Sequence, residues 1–196
     1  MSQSRKSQGL IFVISGPSGS GKTTLVKAVV SDRQFREKLA RSVSFTTRPK
    51  RPGEKDGRDY YFISEKEFKE KRAAEKILEW TRYSGYYYGT AKDFLDKQLY
   101  EYRGIVLCLD LKGAVRIKQL YPENTVTIFI TPSSLEELPV RIKKRCSETK
   151  KEEIQKRLKL ARREILASRG YDYRLVNKEL PQAIRELKAV INQNIN

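Results

Sequence analysis

A glycine-rich run near the start of the chain has the composition and spacing of a phosphate-binding loop. It reads GPSGSGKT, a glycine followed by four residues and then Gly-Lys-Thr, which is the P-loop pattern. Backbone N–H groups of such a loop point at phosphate oxygens, while Lys22 reaches the β- and γ-phosphates and the Thr23 hydroxyl sits on Mg²⁺. The pattern therefore predicts a nucleoside triphosphate site built from Gly16, Pro17, Ser18, Gly19, Ser20, Gly21, Lys22, Thr23 and Thr24.

A P-loop also requires an acidic side chain at the end of a neighbouring strand, where it holds the water shell of Mg²⁺. The apolar run 105–109 ends in Asp110, which is the arrangement expected of that acid. We predict that Asp110 is buried and linked to the metal. The alternative is that it caps the end of the strand.

The elements around these residues alternate between strand and helix. Apolar runs of buried-strand length are followed by helical patterns, and this alternation predicts an α/β fold with a parallel sheet. The predicted strands are 9–15, 104–110, 125–131 and 173–177, and the predicted helices include 22–32, about 113–120 and about 181–190.

Two charged helices are predicted before the last strand. A helix start at 134–137 has Pro139 inside it, so a kink or a delayed start is expected. The run from Thr149 to Glu152 is a capping box. It is followed by an apolar stripe at helical spacing, formed by Ile154, Leu158, Ala161 and Ile165.

The composition bounds the class of protein. The chain has 196 residues, enough for one globular unit, and its short apolar runs argue against disorder. No run approaches the roughly 18 apolar residues of a membrane helix. The polar start lacks the apolar stretch of a secretory signal, and two cysteines do not make a disulfide framework. We expect a cytoplasmic protein with no membrane partner.

The charge of the chain calls for an anionic partner. It has 41 Lys and Arg against 24 Asp and Glu, a net charge of +17. A solvated cationic surface, a phosphorylated substrate and nucleic acid are the alternatives. The chain has no histidine, the usual general base, so chemistry that takes a proton from a neutral hydroxyl is disfavoured.

Short β-like runs separated by basic loops, from about 41 to 92, indicate a small inserted lobe. Within it, SVSFTTRPKRPGEKDGRDYYF at 42–62 places Arg48 and Arg51 where the two could bind one phosphate, and arginine does so in two-point fashion. The hydroxyls of Tyr60 and Tyr88 can donate to the same phosphate. Taken alone, the segment could equally be a basic loop facing solvent.

A third motif, EWTRYSGYYYGT at 79–90, holds the only tryptophan of the chain and four of its 11 tyrosines. Together with the P-loop and the segment 42–62, it resembles the guanylate kinase family, whose members make GDP from GMP and ATP. The resemblance runs in order over 10–187 and so covers nearly the whole chain.

The resemblance implies one α/β domain over 1–196, a P-loop three-layer fold with a parallel central sheet, an inserted β-rich GMP-binding lobe and a helical lid. ATP and Mg²⁺ are the implied cofactors. The implied division is a core of 8–40, 96–135 and 169–196, a GMP-binding lobe of 41–95 and a lid of 136–168.

The resemblance also implies a role for each matching residue, and five groups follow from it. Catalysis is assigned to Lys22 and Arg48 together with three lid arginines that surround the transferring phosphoryl group, Arg141, Arg145 and Arg157. Asn177 would lie near the ATP base, and Thr23 and Asp110 would hold the metal. The GMP phosphate would be bound by Arg48, Arg51, Tyr60 and Tyr88. Guanine would be read by Ser44, Glu79, Thr90 and Asp110.

These roles agree with elementary chemistry. Guanine presents N1–H and its 2-amino group side by side, and one carboxylate such as Glu79 accepts both. A GMP phosphate is already an anionic nucleophile, so no histidine base is needed. Arg141 and Arg145 are four residues apart and share a helix face. Trp80, Tyr86 and Tyr87 are expected to pack as lobe core and rim.

The chain departs from the family pattern after its second strand. Cys108 replaces the acid that the family usually carries two residues before Asp110, and Lys112 stands in place of a glutamine. A thiol supplies no charge to the metal shell. Lys112 either brings a positive charge close to the nucleotides or turns outward to solvent, and we expect the second.

Three other functions compete with GMP phosphorylation. A kinase of the same fold acting on ribose 1,5-bisphosphate is disfavoured because a sugar phosphate has no base for Glu79 to read. A catalytically silent binding module is disfavoured by the intact Lys22 and Thr23. Nucleic-acid binding has no motif to support it. GMP and ATP are therefore the expected partners, for a monomer or a homodimer.

Overall fold

The computed structural model describes residues 8–145 and 150–195, with 144 and 145 described by their backbone alone. Strands and helices alternate along most of the chain, as the apolar pattern predicts. In chain order the elements are β1 (Leu10–Ser15), α1 (Lys22–Val30), β2 (Leu39–Arg41), β3 (Phe45–Thr46), β4 (Tyr61–Phe62), α2 (Glu65–Ala73), β5 (Ile77–Tyr83), β6 (Tyr86–Ala91), α3 (Lys92–Glu101), β7 (Gly104–Cys108), α4 (Leu111–Leu120), β8 (Thr125–Pro132), α5 (Glu137–Arg145), α6 (Lys151–Ala167), β9 (Tyr173–Asn177) and α7 (Leu180–Ile195).

Strand β1 lies at the centre of a five-stranded parallel sheet. The strand order is β2-β7-β1-β8-β9, and β1 pairs with β7 on one side and β8 on the other. Residues 11–14 of β1 have no exposed surface. A parallel sheet that is covered on both faces requires near-continuous apolar strands, which explains the runs seen in the sequence. The predicted α/β class and parallel sheet are confirmed.

Helices cover both faces of this sheet. Alternate side chains of a strand point to opposite faces. Phe12 and Ile14 pack in one core cluster with residues of α1 and α7, whereas Ile11 and Val13 pack in another with residues of α3 and α4. The central part of the chain therefore has three layers, as predicted.

Three helices begin or end away from their predicted bounds. Helix α1 ends at Val30 rather than at 32. Helix α4 begins at Leu111, because the Asp110 side chain caps it. Helix α7 continues to Ile195 rather than ending near 190, because Ile191 and Ile195 extend its buried face by a further turn. Among the described residues, no helix is both long enough and apolar enough to cross a bilayer.

A second, four-stranded sheet is formed between β2 and α3, in the order β4-β3-β6-β5. Strands β5 and β6 are an antiparallel hairpin that turns at Ser84 and Gly85. Phe68 of α2 is buried, and its ring stacks on Tyr87 of β6 at 5.2 Å. Trp80, by contrast, is 44 % exposed and carries the Arg72 guanidinium 4.7 Å from its ring. The predicted packing role is met by Tyr87 and Trp80, whereas Tyr86 is exposed and lines the large cleft described below.

Helices α5 and α6 pack against each other through their own small apolar cluster. Ile154 and Ala161 are buried in it with Leu138 and Ile142, and Leu158 lies beside them. Helix α5 begins at Glu137, so Pro139 falls in its first turn, which is the delayed start expected. The predicted capping residue Thr149 lies outside the described residues. The N-cap of α6 is Lys150, which makes no side-chain cap.

Candidate active site

A cleft of about 1270 Å³ opens at the carboxyl ends of the central strands, where open parallel sheets bind their ligands. The P-loop, the second sheet and helices α5 and α6 all contribute to its wall. The structure brings most of the predicted residues together there. They are Gly16, Ser18, Gly19, Gly21, Lys22, Thr23, Thr24, Ser44, Arg48, Arg51, Tyr60, Glu79, Tyr88, Asp110, Arg141, Arg157 and Asn177.

Three predicted residues stand apart from that wall. Pro17, Ser20 and Thr90 do not line the cleft, and both Ser20 and Thr90 are fully buried. Thr90 is therefore placed behind the wall, and its contact with guanine stays a prediction. The Arg145 side chain lies outside the described part of the chain.

The P-loop has the backbone that its glycines predict. Gly16, Gly19 and Gly21 all have positive φ, and a Cβ on Gly16 would lie 2.2 Å from the Ile130 carbonyl oxygen. Helix α1 begins at Lys22, so its N-terminal N–H groups face the cleft. The Lys22 ammonium donates to the carbonyl oxygens of Gly16 and Pro17, at 2.5 and 2.9 Å. The loop thus forms an anion-binding concavity with a cation folded over it.

Asn177, at the end of β9, hydrogen-bonds to the backbone of the P-loop. Its Nδ2 donates to the Ser20 carbonyl oxygen at 2.8 Å, and a Cβ on Gly21 would lie 2.2 Å from the same nitrogen. Asn177 is buried while also lining the cleft. Besides any contact with a nucleotide base, this side chain therefore fixes the P-loop backbone.

Arg48 is held by a carboxylate that the sequence analysis did not single out, Glu54. Two guanidinium nitrogens of Arg48 donate to the two Glu54 oxygens, each at 2.6 Å, and the Arg51 backbone N–H donates to Glu54 at 3.0 Å. Burial alone would raise the pKa of Glu54, but these hydrogen bonds outweigh it and hold the pKa below its usual value. Residue type alone did not mark it, because Asp56 and Asp59 are further acids of the same basic segment.

The other predicted phosphate-binding side chains surround this pair. The Arg48 guanidinium lies 5.0 Å from the centre of the Tyr60 ring, and the rings of Tyr60 and Tyr88 meet edge to face at 5.9 Å. Arg51 lines the same cleft. Two arginines and two phenols therefore converge, as the phosphate site requires.

Glu79 is the most strongly perturbed acid of the cleft. It lies on β5 beside an irregularity in the pairing with β6, and only 6 % of the residue is exposed. The Thr90 hydroxyl donates to Glu79 Oε1 at 2.6 Å. Burial raises the pKa of Glu79 to about 7, and the negative charge of Asp110 adds to the effect. Any ligand that donates hydrogen bonds to this buried carboxylate stabilises its ionised form.

Helix α4 approaches this carboxylate closely through a glycine. A Cβ on Gly113 would lie 2.7 Å from Glu79 Oε2 and 3.2 Å from the Leu109 Cβ atom. Gly113 therefore makes the room in which the Glu79 carboxylate lies.

Asp110 does two things in the structure, and one corrects our expectation. It is partly exposed rather than buried, and its carboxylate caps α4 by accepting from the Gly113 N–H at 2.8 Å. It also lines the cleft together with Thr23. Asp110 therefore caps the start of a helix while lining the cleft, and its link to the metal stays a prediction.

One carboxylate and one hydroxyl suit Mg²⁺ better than they suit a metal that needs a full protein cage. Among the described residues no group of three or more His, Cys, Asp or Glu side chains could hold an ion. Mg²⁺ normally keeps several waters and takes ligands from substrate phosphates, so Thr23 and Asp110 fit it. Burial raises the pKa of the Cys108 thiol, so Cys108 adds no charge there.

The geometry agrees with a family comparison. The model of the family described as guanylate kinase matches residues 8–194. The chain belongs to the guanylate kinase family. A guanylate kinase from Caldanaerobacter subterraneus subsp. tengcongensis is 46 % identical over 95 % of this chain and 88 % of its own, and one from Desulfitobacterium hafniense is 41 % identical over 95 % and 90 %.

A solved guanylate kinase has the same architecture. The crystal structure of guanylate kinase from Anaplasma phagocytophilum is 31 % identical to this chain, with a TM-score of 0.75 over 96 % of this chain and 87 % of that one. Lys112 is exposed, but it also lines this guanylate kinase-like cleft, so its turn away from the nucleotides stays a prediction.

The helices that the guanylate kinase resemblance assigned to the lid contain acids that the sequence analysis missed. Arg141 pairs with Glu137 at 2.6 Å, and Arg157 pairs with Glu153 at 2.9 Å. Glu164 is buried in the cleft wall, where burial raises its pKa and the charge of Lys22 opposes that rise. Glu164 lies three residues after Ala161 on the apolar stripe, and an acid in that position was a readable signal.

Proposed function

We propose that this chain is a guanylate kinase that transfers the γ-phosphoryl group of MgATP to GMP and dGMP, giving GDP or dGDP and ADP, in purine nucleotide metabolism of the cytoplasm. The observation that carries the proposal is the buried Glu79 carboxylate, 6 % exposed, in the same cleft as the P-loop. A site for phosphate alone has no use for a buried acid of this kind.

Base recognition follows from the chemistry of that acid. Guanine N1–H and the 2-amino group both donate toward Glu79, and Ser44 and Asp110 line the same cleft. Thr90 acts indirectly, since its hydroxyl holds one Glu79 oxygen. Adenine lacks the donor pair, so AMP would leave the carboxylate unpartnered. Sites built on such hydrogen bonds discriminate by a factor on the order of 10⁴.

Phosphate recognition uses the cluster around Glu54. That acid orients Arg48 and the backbone of Arg51, and the rings of Tyr60 and Tyr88 complete the wall. The bound GMP phosphate is already anionic and attacks the γ-phosphorus without losing a proton. The chain therefore has to bring the two nucleotides into line and neutralise charge, which needs no histidine.

Charge neutralisation falls to the cationic side chains of the cleft. Lys22 lies over the P-loop, and Arg141 and Arg157 face it from the lid helices; Arg145 is assigned to the same task by its place on α5. Thr23 and Asp110 would hold Mg²⁺, which supplies charge neutralisation at the β- and γ-phosphates. Asn177 supports the P-loop below the donor phosphates.

The roles divide the chain into a core (8–40, 96–135 and 169–196), a GMP-binding lobe (41–95) and a lid (136–168). GMP and ATP are its partners, without nucleic acid. The +17 net charge then serves to attract two polyanionic nucleotides rather than a polymer.

The test is phosphoryl transfer from MgATP to GMP, dGMP, AMP, UMP and ribose 1,5-bisphosphate in parallel. Transfer to GMP and dGMP alone is expected. Transfer to the sugar phosphate would contradict base recognition by Glu79. Binding of GMP without transfer to any acceptor would favour the binding-module alternative.

A further inference from the structure

The tip of the β5–β6 hairpin contacts helix α6 through one carboxylate oxygen. The Ser84 hydroxyl donates to Glu153 Oε1 at 2.6 Å, and Arg157 Nε–H donates to the same oxygen at 2.9 Å. The Arg157 guanidinium also donates to Ser84 Oγ at 3.4 Å. Ser84, Glu153 and Arg157 thus form a closed ring of hydrogen bonds, here named the hairpin–lid bridge.

The backbone at Ser84 is in a conformation that serine disfavours. Its φ is +49°, and that of Gly85 is +87°. Both central residues of the two-residue hairpin loop therefore have the positive φ that a type I′ turn requires, where Asn, Asp and Gly are favoured. Non-glycine residues held in the left-handed region are concentrated at functional sites, so the hydroxyl of Ser84 calls for an explanation.

The bridge fixes the direction of the Arg157 side chain. Glu153 and Arg157 are four residues apart on α6, the spacing at which an acid and a base meet on one helix face. The guanidinium also lies 5.4 Å from the centre of the Tyr83 ring, the residue before Ser84. Arg157 lines the cleft. The hairpin therefore contacts Arg157 through both Tyr83 and Ser84.

The carboxylate at the centre of the bridge is ionised at neutral pH. Its hydrogen bond from Ser84 is the main cause that holds the pKa of Glu153 below its usual value, and the Arg157 guanidinium contributes as well. The hydrogen bonds of the bridge are therefore charge-assisted, which makes them stronger than neutral ones.

We propose that Ser84 and Glu153 are positioning residues that direct Arg157 at the transferring phosphoryl group. This rests on the proposed function. Strand β5 contains Glu79 and leads directly into Ser84. The strand that binds the base therefore also fixes the orientation of Arg157. Because the bridge joins the hairpin to α6, Arg157 is held in place only while lobe and lid are together.

The deciding variant is Ser84→Gly, because it removes the hydroxyl and also relieves the unfavourable backbone. A purely structural serine would be improved by this change. A positioning serine would not be, and kcat is expected to fall about tenfold, with the KM for GMP within about twofold of the parent. The melting temperature should stay equal or rise.

A rescue variant and a matched control complete the set. Asn tolerates positive φ and its amide can donate to Glu153, so Ser84→Asn should keep kcat within about threefold of the parent. Glu153→Gln should lower kcat as Ser84→Gly does. Glu152→Gln changes the same charge on the same helix turn at an exposed position, and it should change nothing.

Amide hydrogen exchange of 151–157 in the ligand-free chain gives a readout that does not need activity. Exchange should quicken in Ser84→Gly and Glu153→Gln but not in Glu152→Gln. Unchanged exchange in these variants would show that the bridge does not form. If the parent is active and Ser84→Gly has the same kcat, the bridge does not position Arg157. A parent that transfers nothing to GMP would instead overturn the proposed function, and the exchange result would still decide whether the bridge forms.

Discussion

Thr90 and Glu79, on the paired strands β6 and β5, share a buried hydrogen bond in which the Thr90 hydroxyl donates to Glu79 Oε1 at 2.6 Å. Both residues are almost without exposed surface. Burying a carboxylate is unfavourable, and this hydrogen bond satisfies one of its two oxygens. The rest of its hydrogen-bonding capacity is left for a ligand, and guanine supplies two adjacent donors.

The first prediction concerns pH. Because burial raises the pKa of Glu79 to about 7, the ligand-free chain is increasingly protonated at Glu79 as pH falls below that value. Guanine needs the ionised form, so the KM for GMP should rise by up to about tenfold per pH unit below 7 and be flat above it. Binding of GMP measured by calorimetry in two buffers should show proton release near pH 7.

The variant Glu79→Gln separates the titration of Glu79 from the titration of the GMP phosphate. In Glu79→Gln the step near pH 7 should disappear, and only the phosphate titration should remain. A step of the same size in both proteins would show that Glu79 is not its origin.

The second prediction concerns Gly113. A methyl group there would lie 2.7 Å from Glu79 Oε2, so Gly113→Ala should displace the carboxylate and raise the KM for GMP about tenfold, while the KM for ATP stays within about twofold. Gly170→Ala is the matched control, because nothing lies within 4 Å of its Cβ position. Equal effects of Gly113→Ala on both substrates would contradict the prediction.

The third prediction concerns the donor side. Asn177→Ala removes the hydrogen bond to the Ser20 carbonyl oxygen and should raise the KM for ATP by about three- to tenfold, the effect of one lost hydrogen bond. Direct binding of GMP should not change. Asn192→Ala, on the exposed side of α7, serves as the control. A loss of GMP binding instead would place Asn177 in the wrong site.

The fourth prediction concerns the metal. Cys108 is uncharged, because burial raises the pKa of its thiol. Cys108→Asp should therefore leave activity intact or raise it, with a lower Mg²⁺ concentration at half-maximal rate, because an added carboxylate strengthens the outer shell of the ion. Titration of activity against Mg²⁺ measures this. A large loss of activity would reveal a role for the thiol.

The sequence predicted the parts of the site that depend on local patterns. The P-loop is a strand, a turn and a helix in one continuous run, so spacing alone identified Lys22 and Thr23. The continuous apolar run of β1 predicted a buried strand of a parallel sheet. The family resemblance, rather than periodicity, assigned Glu79.

Contacts between distant residues could not be read from the chain. The hydrogen bond from Asn177 to Ser20 spans 157 residues, and it joins the end of β9 to the P-loop that follows β1, two strands away in the sheet. The Ser84–Glu153 contact spans 69 residues and joins two sub-structures whose approach no pattern predicts. Asp110 was misjudged as buried, because a strand end and a helix start coincide there.

The most direct test of base recognition is the ratio of kcat/KM for GMP to that for AMP, measured in the parent and in Glu79→Gln. We predict a ratio on the order of 10⁴ in the parent. In Glu79→Gln the ratio should fall at least about a hundredfold, because the amide turns a donor toward the donors of guanine. Glu70→Gln, an exposed change on α2, should leave the ratio unaltered. An equal ratio in the parent and in Glu79→Gln would contradict the claim that Glu79 reads the base.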